Sequence, residues 1–178
     1  VATADRRTLG AQTEDKAIAV KAEARMGSIV GDAGHVNINS YNRKVLLTGE
    51  VRDEAMKRAV ENEVRGISNV EAVMNELEIG GPSSYTSRSS DALITSKVKL
   101  SLADKKTVSA TSFKVVTERG TVYLMGLVTQ REGNIAADVA QGVSGVMRVV
   151  KMFEYISEED LRSMQPSQQV QPQPQGTS

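Results

Sequence analysis

VYLMGLVTQRE, residues 122–132, alternates apolar side chains and then stops at a polar TQRE. Residues 45–55, VLLTGEVRDEA, repeat its frame: Val45, Leu47, Gly49 and Val51 stand where Val122, Leu124, Gly126 and Val128 stand, 77 residues apart. Alternation with period two is the signature of a half-buried strand. Thr129 and Glu132 have the Thr-x-x-Glu spacing that starts a helix by reciprocal capping. A strand running directly into a capped helix, written twice, points to a duplicated α+β module.

Working outward from the two strands, the rest of each copy falls into place. Upstream of Val45, TEDKAIAVKAEARMGSI places Ile18, Ala22 and Met26 on one helical face. A GDAGH break precedes HVNINSY, in which Val36 and Ile38 alternate with polar residues, and Asn42–Arg43 turns the chain into KVLLTGEV. A helix from about Asp53 to Arg65 is expected to end at Gly66 with that glycine in the left-handed conformation, and NVEAVMNELEI supplies a last strand. Copy two repeats the order with helix SSDALITSKVKLSLADKK, strand SFKVVTE, turn Arg119–Gly120, strand TVYLMGLV, a helix ending at Gly142, and strand GVMRVVKMFEYI. The offset is 76 residues in the first helix, 77 through the two strands and 76 again after the second helix. Slips of one residue at loops are what a duplication tolerates. The expected fold is α+β, α-β-β-α-β twice, each half a three-stranded sheet packed by two helices.

The boundaries follow from composition. Residues 1–12 read as a flexible leader, 13–80 as the first domain, 81–89 as a polar Ser/Gly linker, and 90–157 as the second domain. Residues 158–178 read as a short acidic end followed by a disordered Gln/Pro-rich tail. The chain has no cysteine, which removes disulfide and thiolate chemistry. It has no apolar run near the roughly 18 residues a membrane span needs. The formal charge of zero conceals a split. Residues 13–79 carry 9 Lys/Arg against 12 Asp/Glu, or −3, whereas residues 90–156 carry 9 against 6, or +3. Copy two is the better candidate for an anionic partner.

One copy serves as a control for the other. In the first helix of copy two, Ile94, Val98 and Leu102 match the core stripe of copy one. Leu93 and Leu100 form a second apolar strip about 100° from its leading edge, where copy one has Ala17 and Ala24. Ser96, Lys97 and Lys99 lie on the same helix, and Lys105 and Lys106 crowd its exit. One reading makes this a lipid-facing surface, with lysines meeting anionic headgroups and leucines entering the interface. The other buries the Leu93/Leu100 strip against the other domain or a protein partner, making the chain an interaction adaptor. Attachment to peptidoglycan ranks last, because the chain offers no aromatic saccharide platform.

Other features carry less. Gly142–Gly145 has a GxxG form but joins a helix to a strand between non-basic flanks, and Phe113 and Tyr123 are nearly the only aromatics on the central strands, so nucleic acid is not an expected partner. His35 is the one histidine and reads as a loop residue; without cysteine or a second histidine no metal site of ordinary composition is expected. No nucleophile–base pair, Walker loop or dinucleotide fingerprint occurs, so neither enzyme activity nor a cofactor is expected. Nothing demands more than a monomer.

The pattern V-x-L-x-G-x-V, a helix, then Gly, Ile or Val, Ser, any residue and Val, resembles the BON domain. It is carried by Val45, Leu47, Gly49, Val51, Gly66, Ile67 and Val70, and by Val122, Leu124, Gly126, Val128, Gly142, Val143 and Val146. Two tandem copies after DRRTLGAQTED look like the tandem-BON outer-membrane lipoproteins. That resemblance implies a periplasmic protein on the outer membrane, held by a lipidated cysteine that this sequence does not include. It implies recognition of anionic phospholipids, of the phosphatidylglycerol or cardiolipin type, through the first helix of the second domain. It also implies a role in envelope integrity, with outer-membrane or division proteins as further partners.

Overall fold

The computed structural model describes residues 5–81 and 85–164, with side chains in the second stretch described from Ser87 onward. The linker residues 82–84 and the Gln/Pro-rich tail from residue 165 lie outside the described residues. Domain 1 comprises α1 (Leu9–Ile29), β1 (His35–Tyr41), β2 (Lys44–Val51), α2 (Glu54–Arg65), β3 (Ala72–Asn75) and β4 (Glu78–Ile79). Domain 2 comprises α3 (Tyr85–Asp104), β5 (Lys114–Glu118), β6 (Thr121–Val128), α4 (Gln130–Gln141) and β7 (Arg148–Tyr155), and a short α5 (Glu158–Met164) follows. Both sheets are built alike. A hairpin pairs β1 with β2 and β5 with β6 antiparallel, and the strand after the second helix returns parallel to the central one. This is the α-β-β-α-β order expected from the repeat. In domain 1 the third strand is broken: the Leu77 side chain turns into the core, its N–H bonds Asn75 Oδ1, and pairing with β2 resumes at β4.

Each hairpin turns through two residues of positive φ, Asn42–Arg43 and Arg119–Gly120, as a type I′ turn requires. A buried aspartate on the first helix secures each turn. Asp15 accepts the Asn42 and Arg43 N–H groups at 2.7 and 2.8 Å, and Asp91 accepts those of Arg119 and Gly120 at 2.8 and 3.0 Å. These turn amides have no strand partner, so the carboxylates satisfy donors that would otherwise be buried unpaired. The glycine of V-x-L-x-G-x-V has an equally direct cause. A Cβ on Gly49 would stand 2.0 Å from the His35 carbonyl oxygen, and one on Gly126 would stand 2.7 Å from that of Ser112. The neighbouring backbone crosses too close for any side chain.

Three observations differ from the expectations. Gly66 and Gly142 close their helices with right-handed φ values of −76° and −81°; the left-handed residue comes three positions later, at Asn69 and Gly145. The helix of domain 1 begins at Leu9 behind a Thr8 cap, inside the stretch read as leader, and α3 begins at Tyr85, inside the stretch read as linker. Arg6 forms a two-pronged ion pair with the buried Glu132, at 2.7 and 2.8 Å, and also donates to the Leu127 carbonyl. Arg7 pairs with Asp15 and lies 4.5 Å over the Tyr41 ring. Residues 6–8 therefore tie the two domains together.

Helices cover one face of each sheet, enclosing cores around Ile18, Leu47 and Val60 in domain 1 and Val98, Leu124 and Ala136 in domain 2. The opposite faces meet each other. Tyr41 and Leu46 pack with Val116, Tyr123, Met125 and Leu127 in a third core shared by both domains. The order of layers is thus helices, sheet, sheet, helices, and each first helix is held on the outside.

Candidate functional site

Because the sheets bury each other, α3 turns its off-core side to solvent. Its core side is occupied as the stripe demands: Val98 and Leu102 are fully buried and Ile94 nearly so. Leu93 and Leu100 are 56% and 67% exposed. The expectation that this strip is buried against the other domain is therefore incorrect for this chain: the domains meet through their sheets instead. Seven residues apart on one helix, the two leucines lie within about 20° of each other in projection.

The basic residues divide. Lys97, Leu100 and Lys105 line one groove of about 840 Å³ with Asp138 and Val139 of α4 and with Val143 and Ser144 of the loop beyond it. Asp104 and Asp138 also face this groove, which makes it a mixed-charge trough rather than an anion pocket. Lys99 lies on the opposite flank of the helix, in a cleft with Asp5, Arg7, Thr111, Phe113 and Lys114. Lys106 is exposed beyond the helix end, and the exposed Ser96 donates to its own helix, to the Ala92 carbonyl at 3.1 Å. Of the seven residues singled out from the sequence, Leu93, Ser96, Lys97 and Leu100 share the outward side of α3, Lys97, Leu100 and Lys105 line one groove, and Lys106 follows the helix end. Lys99 is not among them.

Sequence reading missed one member. Met147, in the loop from α4 to β7, is 80% exposed. Its N–H bonds the Gly120 carbonyl at 2.9 Å, and Glu71 of domain 1 makes the same bond to Arg43 at 2.8 Å, so the two positions are equivalent. Its loop is packed against α3: the Ile94 side chain lies about 3.2 Å from where a Cβ on Gly145 would be. At three equivalent surface positions copy two therefore has Leu93, Leu100 and Met147 where copy one has Ala17, Ala24 and Glu71. Comparing the loops as well as the helices would have revealed it. The substitution pattern is not wholly one-sided, since exposed Val20 of α1 stands at the position of Ser96.

Among the described residues no helix is long and apolar enough to cross a membrane. The BON-domain family profile matches residues 14–81 and 90–157, both halves of the duplication. The chain belongs to the BON-domain family. This BON protein is 38% identical over 154 residues to the outer membrane lipoprotein DolP of Haemophilus influenzae, covering 85% of the chain and 80% of that relative. It is 30% identical, over 85% of the chain and 79% of the relative, to a 21 kDa hemolysin of Actinobacillus pleuropneumoniae. Among solved structures, CdsD, a structural protein of the type III secretion system of Chlamydia trachomatis, aligns over 81% of this chain and 97% of its own, at a TM-score of 0.34 and 11% identity. That likeness is too distant to carry an argument.

Proposed function

We propose that this tandem-BON protein is a non-enzymatic envelope protein that docks on anionic phospholipid at the periplasmic face of the outer membrane through the outward side of α3. Leu93, Leu100 and Met147 would enter the interfacial region, while Lys97, Lys105 and Lys106 meet headgroup phosphates. The observation that carries this reading is the difference between the copies at three equivalent positions, where copy two exposes Leu93, Leu100 and Met147 and copy one has Ala17, Ala24 and Glu71, beside the excess of positive charge on copy two. The similarity to an outer membrane lipoprotein supports the location. Each lysine near an anionic surface contributes about 1 kcal/mol. Each leucine contributes at most about 1.5–3 kcal/mol, reduced because part of it is already covered in the free protein. Attachment of that strength is reversible, and a covalent lipid anchor would make it lasting.

Leu93→Glu tests the proposal against the adaptor reading. Sedimentation with phosphatidylglycerol vesicles, compared with neutral phosphatidylcholine vesicles, is expected to show binding of the parent chain to the former and its loss in the variant. Thermal stability is expected to stay unchanged, since Leu93 contributes little to the core. Equal sedimentation with both vesicle types, or retained binding by Leu93→Glu, would sink the lipid reading.

A further inference from the structure

At the end of the inter-sheet seam opposite Arg6, polar groups replace the shared apolar core. His35 is not a loop residue: it is the first residue of β1, paired across the hairpin with Glu50. Its Nδ1 points at Glu50 Oε1, 3.5 Å away, which is too long for a sound hydrogen bond. Glu118 arrives from domain 2. One ligand atom from each of His35, Glu50 and Glu118 lies within 4.8 Å of the other two, and both carboxylates are buried.

We propose that these three side chains form a divalent-cation site of the zinc type, spanning the two domains. The donor set is one imidazole nitrogen and two carboxylate oxygens, each a kind of atom that binds Zn²⁺, in a three-ligand set poorer in histidine than the common open zinc sites. Each carboxylate has a charged or polar neighbour at its Oε2 atom. Arg119 lies 3.1 Å from Glu50 Oε2, and the Asn37 amide donates to Glu118 Oε2 at 2.8 Å. Outer partners of this kind fix the direction of metal ligands. Two further observations point to a ligand. His35 Nδ1 is buried with no hydrogen-bond partner, and so is the hydroxyl of Thr48, which follows the same face of β2 as Glu50. A cavity of about 260 Å³, lined by His35, Asn37, Asp91, Thr95, Thr117 and Glu118, adjoins the cluster and offers an entry path with room for water ligands.

The charges around the cluster favour a cation. The carboxylates of Glu50, Glu118, Glu78 and Asp91 face the guanidiniums of Arg119 and Arg88, four against two. Asp91 is committed to the β5–β6 turn, and Arg119 divides itself between Glu50 and Glu78. Burial disfavours the charge on Glu118, and a divalent ion would offset that cost at its source. Since two ligands come from domain 1 and one from domain 2, a bound ion would staple the seam. Ions that bind only the folded protein raise its apparent stability.

The single histidine makes the test direct, because its ring protons report on one site alone. The whole chain, stripped with EDTA, is titrated with ZnCl₂ and, in separate runs, MgCl₂ and CaCl₂. Saturable binding of one Zn²⁺ per chain is expected, with a shift of the His35 ring resonances that saturates at the same stoichiometry and a rise in melting temperature. Mg²⁺ and Ca²⁺ are expected to leave the histidine resonances unmoved. Glu118→Gln and His35→Ala, checked for native circular dichroism, are each expected to weaken Zn²⁺ binding at least about tenfold. Zn²⁺ binding that leaves the His35 resonances in place, or that survives both substitutions, would overturn the proposal by locating the ion elsewhere. The absence of saturable binding overturns it outright, and none of these outcomes bears on vesicle binding by α3.

Discussion

Replacing Arg6 by alanine is expected to destabilise the whole molecule, although Arg6 precedes the first helix and belongs to neither repeat. Its guanidinium meets both oxygens of Glu132, with side-chain exposures of only 10% and 3% for the pair. Removing one partner of a buried pair leaves an uncompensated charge, which costs about 3–5 kcal/mol. Here the Thr129 N–H still reaches Glu132 Oε1 at 3.0 Å, so the lower end of that range applies. For a chain of this size each kcal/mol moves the melting temperature by about 2–4 °C, giving a loss of roughly 6–12 °C. Glu132→Gln leaves the Arg6 guanidinium without its counter-charge, but it should cost less, because glutamine can still close the capping box and accept from Arg6, which keeps its bond to the Leu127 carbonyl. The pH dependence has a definite sign. Burial opposes ionisation of Glu132, but hydrogen bonds from Arg6 and Thr129 outweigh it and hold the carboxyl below its ordinary value of 4.5. A depressed carboxyl contributes stability that is present above the ordinary value and is lost as the pH falls through the depressed one. Calorimetric melts of the parent and Arg6→Ala chains should therefore differ at neutral pH and converge in acid. A difference below about 2 °C at neutral pH, or one that persists unchanged in acid, would refute the claim that residues 6–8 fasten the domains.

Two further substitutions test the frame. Gly49→Ala should cost more than Gly126→Ala in urea denaturation, because its Cβ would meet backbone at 2.0 rather than 2.7 Å and its φ of +118° strains any side chain; each should exceed about 1 kcal/mol. Lys114→Met should raise the melting temperature at neutral pH, by about 2–4 °C for each kcal/mol gained. Burial, reinforced by the nearby Arg7, pushes the Lys114 ammonium below its ordinary 10.5, so the parent chain gains stability as the pH rises toward that value and the advantage of methionine shrinks. Melts that show no gain, or a gain growing with pH, would contradict that account.

The repeat was legible because its causes are local. Alternation in VLLTGEV and VYLMGLV, the Thr129/Glu132 cap and the Asn42–Arg43 turn each involve neighbours in sequence, and all appear where expected. The two aspartates that hold the hairpin turns were not singled out, since Asp15 and Asp91 look like ordinary helix-surface acids until the turn lies beneath them. His35 failed for the same reason: its meaning depends on Glu118, 83 residues away, in another domain. The leader was misjudged because two arginines without periodicity give no sign that one of them has a buried glutamate waiting. On α3 the apolar strip was legible by comparison with α1. The position of Lys99 on the far flank was not, because counting lysines along a helix ignores the angle between them.

The asymmetry of the two copies follows from how they are joined. Each sheet of this chain has one face covered by its own helices and one face left bare by them. In this chain the bare faces cover each other, through Tyr41 and Leu46 on one side and Tyr123, Met125 and Leu127 on the other. That arrangement uses the central strands of both copies for the same purpose, so neither sheet is free to differ. It also forces α1 and α3 outward, which makes their off-core sides the surfaces where a duplicate can diverge without loss of either core. Divergence is found there: Ala17, Ala24 and Glu71 remain small or acidic, while Leu93, Leu100 and Met147 are large, apolar and exposed. Three exposed apolar residues on one helix-and-loop surface would promote self-association if nothing covered them. Under the proposed docking, a membrane surface would cover such a strip without a protein partner of matching shape, and the lysines beside it would favour an anionic one.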